Sequence, residues 1–291
     1  MSETVFLNGE FIAREKAYIS PEDRGFYFAD GVYEVIRCFK GSLFSYEEHI
    51  QRLKRSLSET RIKFRDIKSL DSVCKKIISK NNLEGKYADI YIQITRGVHR
   101  RMHRFPVEEI SPTVYIYAYE RLPSVNEMKR GVKVITRNDI RWLRCDIKSV
   151  SLLPNTLKFQ EAHDENAREC IFIRDGVITE ASHSNVLGIK TGVVFTHPDS
   201  NLILSGITKK VVFRICNDLG IYVKESPIRE EEISEFDELF ITGTGNDIMP
   251  VVQLNDIVIN DGVPGTITRQ IQREYFRITY KKLGGEKKLW F

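Results

Sequence analysis

The chain has 291 residues, 42% of them hydrophobic and 29% charged, an ordinary globular composition that excludes a disordered chain. At roughly 150 residues per domain, this length suggests about two domains. The 44 Lys and Arg exceed the 40 Asp and Glu by a net +4, too weak an excess to imply a polyanion partner.

The opening MSETVFLNGE carries two glutamates and no apolar core segment, so no secretory signal is expected. Residues 4–7 and 11–13 flank Asn8-Gly9, a hairpin turn signal. Residues 26–39 read as a long strand region interrupted at Asp30-Gly31, with Tyr33, Val35 and Arg37 on one face. Residues 46–62 and 69–81 show helical spacing through Ile50, Leu53, Leu57 and through Leu70, Val73, Ile77. Residues 89–95 and 113–119 alternate like strands. The longest apolar run, residues 114–119, is six long, far short of the about 18 that a bilayer span needs. Between these strands lies the basic loop TRGVHRRMHRFP. Residues 122–130 look like a linker. Beyond it come a strand at 132–136, a helix at 157–166, and strands at 170–173 and 177–179 around Asp175-Gly176, a second hairpin signal. A strand at 185–189, a helix at 208–218 and a strand at 238–242 ending in GTGND follow. A last helix spans 266–280, and the tail KKLGGEKKLWF is weakly patterned. Short mixed elements with hairpins in both halves suggest two α+β domains, and the alternation is too irregular for a doubly wound parallel sheet. The expected units are 1–121 and 131–291. Five widely spaced cysteines without a CxxC pair (Cys38, Cys74, Cys145, Cys170, Cys216) argue against a disulfide framework and a structural zinc site.

Phosphate-loop, GxGxxG, HExxH and GxSxG motifs are all absent. Three stretches hold chemical interest. The loop at 96–104 packs Arg96, His99, Arg100, Arg101, His103 and Arg104 into nine positions. It is either a solvated basic loop or an anion site, since arginine suits a carboxylate or phosphate. No wider basic face extends it toward nucleic acid. SGITKK, at 205–210, places a glycine before a helix whose N-terminus favours an anion, or is an ordinary cap by Ser205. TGTGND, at 242–247, brings small residues after a strand, for a close ligand or simply for a tight turn. Lys148, beside apolar Ile147, would become nucleophilic if partly buried; as one lysine among many charges it is by itself ordinary surface.

The strings DRGFYFADGVYEVIR, EEHIQRLKRS, TRGVHRRMHRFP, RWLRCDIKS, QEAHDENA, TEASHSNVLGIK, THPDSNLILSGITKKVV and DELFITGTGNDIMPV occur in one order. Together they resemble the fold-type IV pyridoxal-phosphate-dependent aminotransferases, and within them most closely the D-amino-acid enzymes, from about residue 3 to 275. The resemblance implies a small N-terminal α/β domain and a larger C-terminal domain with a β-barrel-like core. It implies pyridoxal 5'-phosphate linked as a Schiff base to Lys148, with Glu180 on the pyridine nitrogen. Arg52, Ile207, Thr208 and Thr244 would hold the phosphate. Arg101 and His103, with Tyr33, match the group that grips the substrate α-carboxylate. The basic loop of the family reaches into a neighbouring subunit's site, which implies a homodimer.

The implied activity is transamination of D-amino acids such as D-alanine with a 2-oxo acid, 2-oxoglutarate or pyruvate, by a cytoplasmic enzyme without metal, membrane or nucleic-acid partner. Gly243 and Asn246 stand where the D-amino-acid enzymes carry serines, and His183 stands in a serine-rich stretch. Arg37 resembles the branched-chain enzymes and is a further candidate for a substrate carboxylate. The alternatives of the same fold are a branched-chain L-amino-acid aminotransferase and 4-amino-4-deoxychorismate lyase.

Overall fold

The computed structural model describes residues 3–280; the weakly patterned tail lies outside the described residues. Two compact units emerge, one of Met1–Leu122 with Ile147–Leu152, the other of Pro123–Asp146 with Leu153–Phe291. The chain thus returns to the first unit for six residues, a crossing that hydrophobic periodicity does not signal.

The first unit contains β1 (Thr4–Leu7), β2 (Glu10–Ala13), α1 (Arg24–Phe28), β3 (Gly31–Phe39), β4 (Ser42–Leu43), α2 (Tyr46–Glu59), α3 (Leu70–Lys80), β5 (Tyr87–Thr95) and β6 (Thr113–Glu120). Its strands form one antiparallel sheet in the order β2-β1-β6-β5-β3-β4. Asn8 and Gly9, both at positive φ, make the expected first hairpin. Alternation along β3, β5 and β6 sends Val32, Ile36, Ile90, Ile92, Ile94 and Ile116 into a core shared with Ile50, Leu53 and Leu57 of α2 and Val73 and Ile77 of α3. The opposite parity, Tyr33, Val35 and Arg37, faces away from those helices. The expected strand at 26–39 is shorter at its start. The Asp23 carboxylate accepts the Gly25 N–H, and Ala29 adopts a left-handed conformation at φ 52, so residues 24–28 form a short capped helix. Ile147–Leu152 runs beside β3, where the Tyr33 N–H donates to the Lys148 carbonyl and the Val150 N–H to that of Gly31, both at 3.0 Å.

The second unit contains α4 (Val125–Arg130), β7 (Val132–Asn138), α5 (Leu153–Asp164), β8 (Cys170–Arg174), β9 (Val177–Ala181), β10 (Asn185–Lys190), β11 (Val193–Thr196), α6 (Ile207–Leu219), β12 (Val223–Glu225), β13 (Glu238–Gly243), β14 (Asp247–Leu254), β15 (Ile257–Val258) and α7 (Thr266–Thr279). Most of the expected linker at 122–130 is therefore helix α4. The strands run in the order β12-β11-β10-β13-β14-β7-β8-β9, with β15 paired to β14. The pairs β11–β12, β14–β7 and β7–β8 are parallel. The sheet curls part way into a barrel, so that β9, at one end of the order, lies beside β10. Helices α6 and α7 pack on β13 and on each other, and Val212 and Ile215 of α6 and Ile271, Tyr275 and Phe276 of α7 are buried. Among the described residues no helix is long and apolar enough to cross a membrane, and no cluster of His, Cys, Asp or Glu could hold a metal ion.

Candidate active site

In the first unit, Lys148 is half-buried, and its amine lies 4.3 Å from the centre of the Tyr33 ring, within reach of the ring's negative face. Besides the two backbone bonds to β3, the Lys148 N–H donates to the Ser56 hydroxyl at 3.2 Å. The lysine is thus anchored by its backbone to both β3 and α2, while its side chain turns toward Tyr33.

Arg52, on the buried face of α2, grips the Glu34 carboxylate at two points, Nε to Oε1 at 2.7 Å and Nη2 to Oε2 at 2.9 Å. His49, one helical turn before Arg52, lies 2.8 Å from Glu34 Oε2 through Nδ1. Burial raises the pKa of Glu34, but Arg52 and His49 outweigh it and hold the carboxyl well below its ordinary range. Burial lowers the pKa of His49, so its neutral ring donates from Nδ1 to the anionic carboxylate.

The basic loop divides into two kinds of residue. Arg96 is buried, bound to Asp30 and to the carbonyls of Thr60 and Arg61, and its guanidinium lies 3.6 Å from the Phe105 ring centre. His99 is 2.7 Å from Glu108. These two serve the loop's own fold. Arg101 and His103 are exposed and meet on Phe28, the guanidinium 5.1 Å above its ring and the imidazole centroid 5.4 Å away. Phe28 thereby brings together the two side chains expected to share a carboxylate. Tyr18, Phe26 and Val107 of the same unit are each more than three-quarters exposed. Arg37 is the further residue expected at a substrate carboxylate. It does share the Tyr33 face, but it is 2% exposed, with Nε 3.1 Å from Asp89 Oδ1. Arg121 also faces Asp89, at 3.4 Å. Four residues along a strand place Arg37 about 13 Å from Tyr33, and its charge is engaged within the sheet.

In the second unit, β9 places Glu180 6% exposed. Its Oε1 accepts from Arg141 Nη1, and its Oε2 accepts from the Leu204 N–H at 3.0 Å and from Asn185 Nδ2 at 3.3 Å. Arg141 also forks onto Asp139, at 2.9 and 2.8 Å. Burial lowers the pKa of Arg141, but Glu180 and Asp139 raise it further, so the guanidinium stays charged. Ile207 and Thr208 open α6, whose N-cap is Gly206 and therefore has no capping side chain. A Cβ on Gly206 would lie 1.9 Å from Asn185 Oδ1, so any side chain there would force Asn185 to shift. Thr244 is half-buried in the turn between β13 and β14, which closes with the Asn246 N–H on the Gly243 carbonyl at 3.0 Å.

Pattern reading passes over Glu34, Arg141 and Glu169, three buried charged residues that act on the expected site residues or on their loops. In the second unit alone, a held carboxylate offers an acceptor that suits a ring N–H, and a helix N-terminus crossed by no side-chain cap and a threonine turn offer donors that suit a phosphate. In the first, an amine beside a tyrosine ring suits an aldehyde.

The sequence pattern of the class IV amino-transferases matches residues 31–254. D-alanine aminotransferase from Staphylococcus epidermidis is 41% identical over 272 residues, covering 93% of this chain and 96% of that protein. The enzyme of the same name from Bacillus licheniformis is 39% identical, with 92% and 94% covered. Among solved structures, the branched-chain amino acid aminotransferase from Escherichia coli aligns with a TM-score of 0.88 at 26% identity, covering 100% of this chain and 98% of that one. A second branched-chain amino acid aminotransferase, solved with pyridoxamine 5'-phosphate, has the same fold, with a TM-score of 0.89 at 23% identity and 97% and 95% covered.

Proposed function

This chain belongs to the class IV aminotransferases, enzymes that use pyridoxal phosphate, and from that membership we propose that it is a D-amino-acid aminotransferase, moving the amino group of D-alanine or a similar donor to a 2-oxo acid such as 2-oxoglutarate or pyruvate. The observation that carries this reading is the 41% identity over 93% of the chain to a D-alanine aminotransferase. The pairing of Arg101 with His103 on Phe28 supports it.

Pyridoxal phosphate, when bound, supplies the aldehyde that takes up the amine and a ring that draws off the electrons of the Cα carbanion. The chain's own residues do the rest. Lys148, whose amine is half-buried beside Tyr33, would hold the cofactor's aldehyde carbon and is the group that would take and return the Cα proton, as base and then as acid. In the second unit Glu180 would accept the ring N–H, with Arg141 keeping that carboxylate in place, and the first N–H groups of α6 at Ile207 and Thr208 and the Thr244 hydroxyl would serve the phosphate. In the first unit Arg52 is the residue that would serve the phosphate. Arg101, His103 and Tyr33 bind the substrate α-carboxylate, and the side from which they hold it selects the D-isomer. The exposed side chains of Tyr18, Phe26 and Val107 are of the kind that mediate protein association, which supports a homodimer.

The test is an amino-donor panel of D- and L-isomers with 2-oxoglutarate and pyruvate. Turnover of D-alanine well above L-leucine is expected. The reverse order would favour the branched-chain reading that the Escherichia coli structure invites, and formation of a new amino acid excludes lyase-only chemistry. Lys148→Ala should lose both turnover and the imine absorption at about 400–420 nm.

A further inference from the structure

One buried carboxylate of the second unit has no part in the chemistry above. Glu169 directly precedes β8 and is 0% exposed. Its Oε1 accepts the His183 N–H at 2.6 Å and the Ser182 hydroxyl at 3.3 Å. Its Oε2 accepts the Ser184 hydroxyl at 3.0 Å and Asn246 Nδ2 at 2.9 Å. Three of these donors form the turn 182–184, which leaves β9 just after Glu180. The fourth belongs to the loop 243–246, which carries Thr244.

Asn246 is 1% exposed and is committed on every side. Its Nδ2 also donates to Ser184 Oγ at 2.7 Å and lies 3.4 Å from His183 Nε2, while its Oδ1 accepts from Arg168 Nη2 at 3.0 Å. Amide nitrogen toward the carboxylate and amide oxygen toward the guanidinium is the orientation that pairs each donor with an acceptor. His183 Nδ1 is 3.2 Å from Glu169 Oε1, so a ring protonated at Nδ1 donates there and accepts at Nε2. The loop rests directly on the turn: a Cβ at Gly243 would lie 3.3 Å from the His183 carbonyl and 3.5 Å from Ser184 Oγ. The next residue, Asp247, is fixed from another direction, by the hydroxyls of Tyr275 at 3.0 Å and Tyr280 at 3.4 Å.

We propose that Glu169 and Asn246 form a positioning latch that clamps the loop 243–246 onto the turn 182–184, so that one buried carboxylate fixes both Thr244 and the segment behind Glu180. Both side chains are buried, Glu169 at 0% and Asn246 at 1% exposure, and are proposed to act through the loops they hold. They set where the cofactor's contacts stand, and the inference rests on the reading of Thr244 as a phosphate donor. A satisfied buried network makes such a connection rigid, and removing one donor leaves the carboxylate short of a partner.

Full-length protein stripped of cofactor and titrated with pyridoxal phosphate, and separately with pyridoxal, tests the latch in N246A, N246S, T244A and the T244A/N246A double variant. N246A should raise the Kd for pyridoxal phosphate about tenfold, equivalent to about 1.4 kcal/mol, and leave that for pyridoxal within about twofold, because the loop serves the phosphate. N246S keeps a donor for Glu169 and should fall between N246A and the native protein. The double variant should bind no more weakly than the poorer single variant, since both substitutions remove one contact. An N246A protein with native pyridoxal phosphate affinity, when T244A has lost it, overturns the latch. So does equal weakening toward both ligands. A T244A protein with native affinity overturns the assignment of Thr244 instead, and the latch's role at the phosphate with it.

Discussion

Glu34 and Arg52 meet as a two-point pair across β3 and α2, with the carboxylate 0% and the guanidinium 9% exposed. The arrangement makes the acid behaviour of the first unit predictable. Against an ordinary value of 4.5, the folded-state pKa of Glu34 is depressed. The pair's stabilisation is therefore complete above the unfolded-state value and is lost as pH falls from there toward the folded one. Glu34→Gln should cost about 3–5 kcal/mol at neutral pH, because a buried guanidinium loses its partner. Urea unfolding of both proteins from neutral pH down through the carboxylate range should show the gap narrowing below pH 4.5. A gap that stays constant would mean the pair acts through packing rather than charge.

Arg101 is exposed and rests on Phe28, so its loss should be felt by substrate more than by the fold. Arg101→Ala should raise KM for D-alanine by about 10- to 100-fold, the worth of a charge-assisted bond to a carboxylate, and change unfolding free energy by less than about 0.5 kcal/mol. Arg101→Lys keeps the charge without the planar fork and should recover only part of the loss. Steady-state kinetics with urea melts on the same preparations decide it. An unchanged KM would move the carboxylate anchor to another group.

What pattern could reveal here depended on range. The period-3.6 apolar rows of α2, α3, α6 and α7 and the alternation of β5 and β6 are local, and the structure contains each within a few residues of the expected bounds. Around Phe26, Tyr27 and Phe28 the aromatic run reads as strand, yet the cap from Asp23 and the left-handed Ala29 make a helix. Strand β14 escapes because Pro250 lies inside it and Asp247 begins it at φ 51, both poor strand signals. Expected site residues in dense motifs, such as Lys148 and Glu180, stand out through the family resemblance. The buried charges Glu34, Arg141 and Glu169 do not, because each meets its partner far along the chain: Glu34 meets Arg52 over 18 positions, Arg141 meets Glu180 over 39 and Glu169 meets Asn246 over 77. Arg37 shows the converse case. Its strand parity is right, but Asp89, brought opposite by pairing with β5, takes its charge.

That pairing separates two readings of Arg37. Arg37→Ala leaves Asp89 buried with the longer contacts to Arg121 and to the Tyr119 hydroxyl, each at 3.4 Å. It should destabilise the protein by about 3–5 kcal/mol while KM for D-alanine changes less than about twofold, under about 0.4 kcal/mol. Measured by thermal unfolding and initial rates, a large KM increase with native stability would instead restore Arg37 as a substrate contact.

Arg141 is the residue on which Glu180 most depends. It is 7% exposed, holds Glu180 through Nη1 and Asp139 through Nε and Nη2, donates to the Leu202 carbonyl at 3.1 Å and lies 4.4 Å over the Phe172 ring. A lysine has one point of charge and no fork, so Arg141→Lys cannot serve both carboxylates at once. It should weaken pyridoxal phosphate binding about tenfold, or about 1.4 kcal/mol, and Arg141→Ala should further cost about 3–5 kcal/mol of stability by depriving buried Asp139 of its two-point partner. If Arg141 works through Glu180, adding Arg141→Lys to Glu180→Gln should weaken cofactor binding little beyond Glu180→Gln alone, since the contact is already gone. Cofactor titrations of the two single variants and the double variant read this directly. Fully additive losses would mean that Arg141 meets the cofactor by a route of its own.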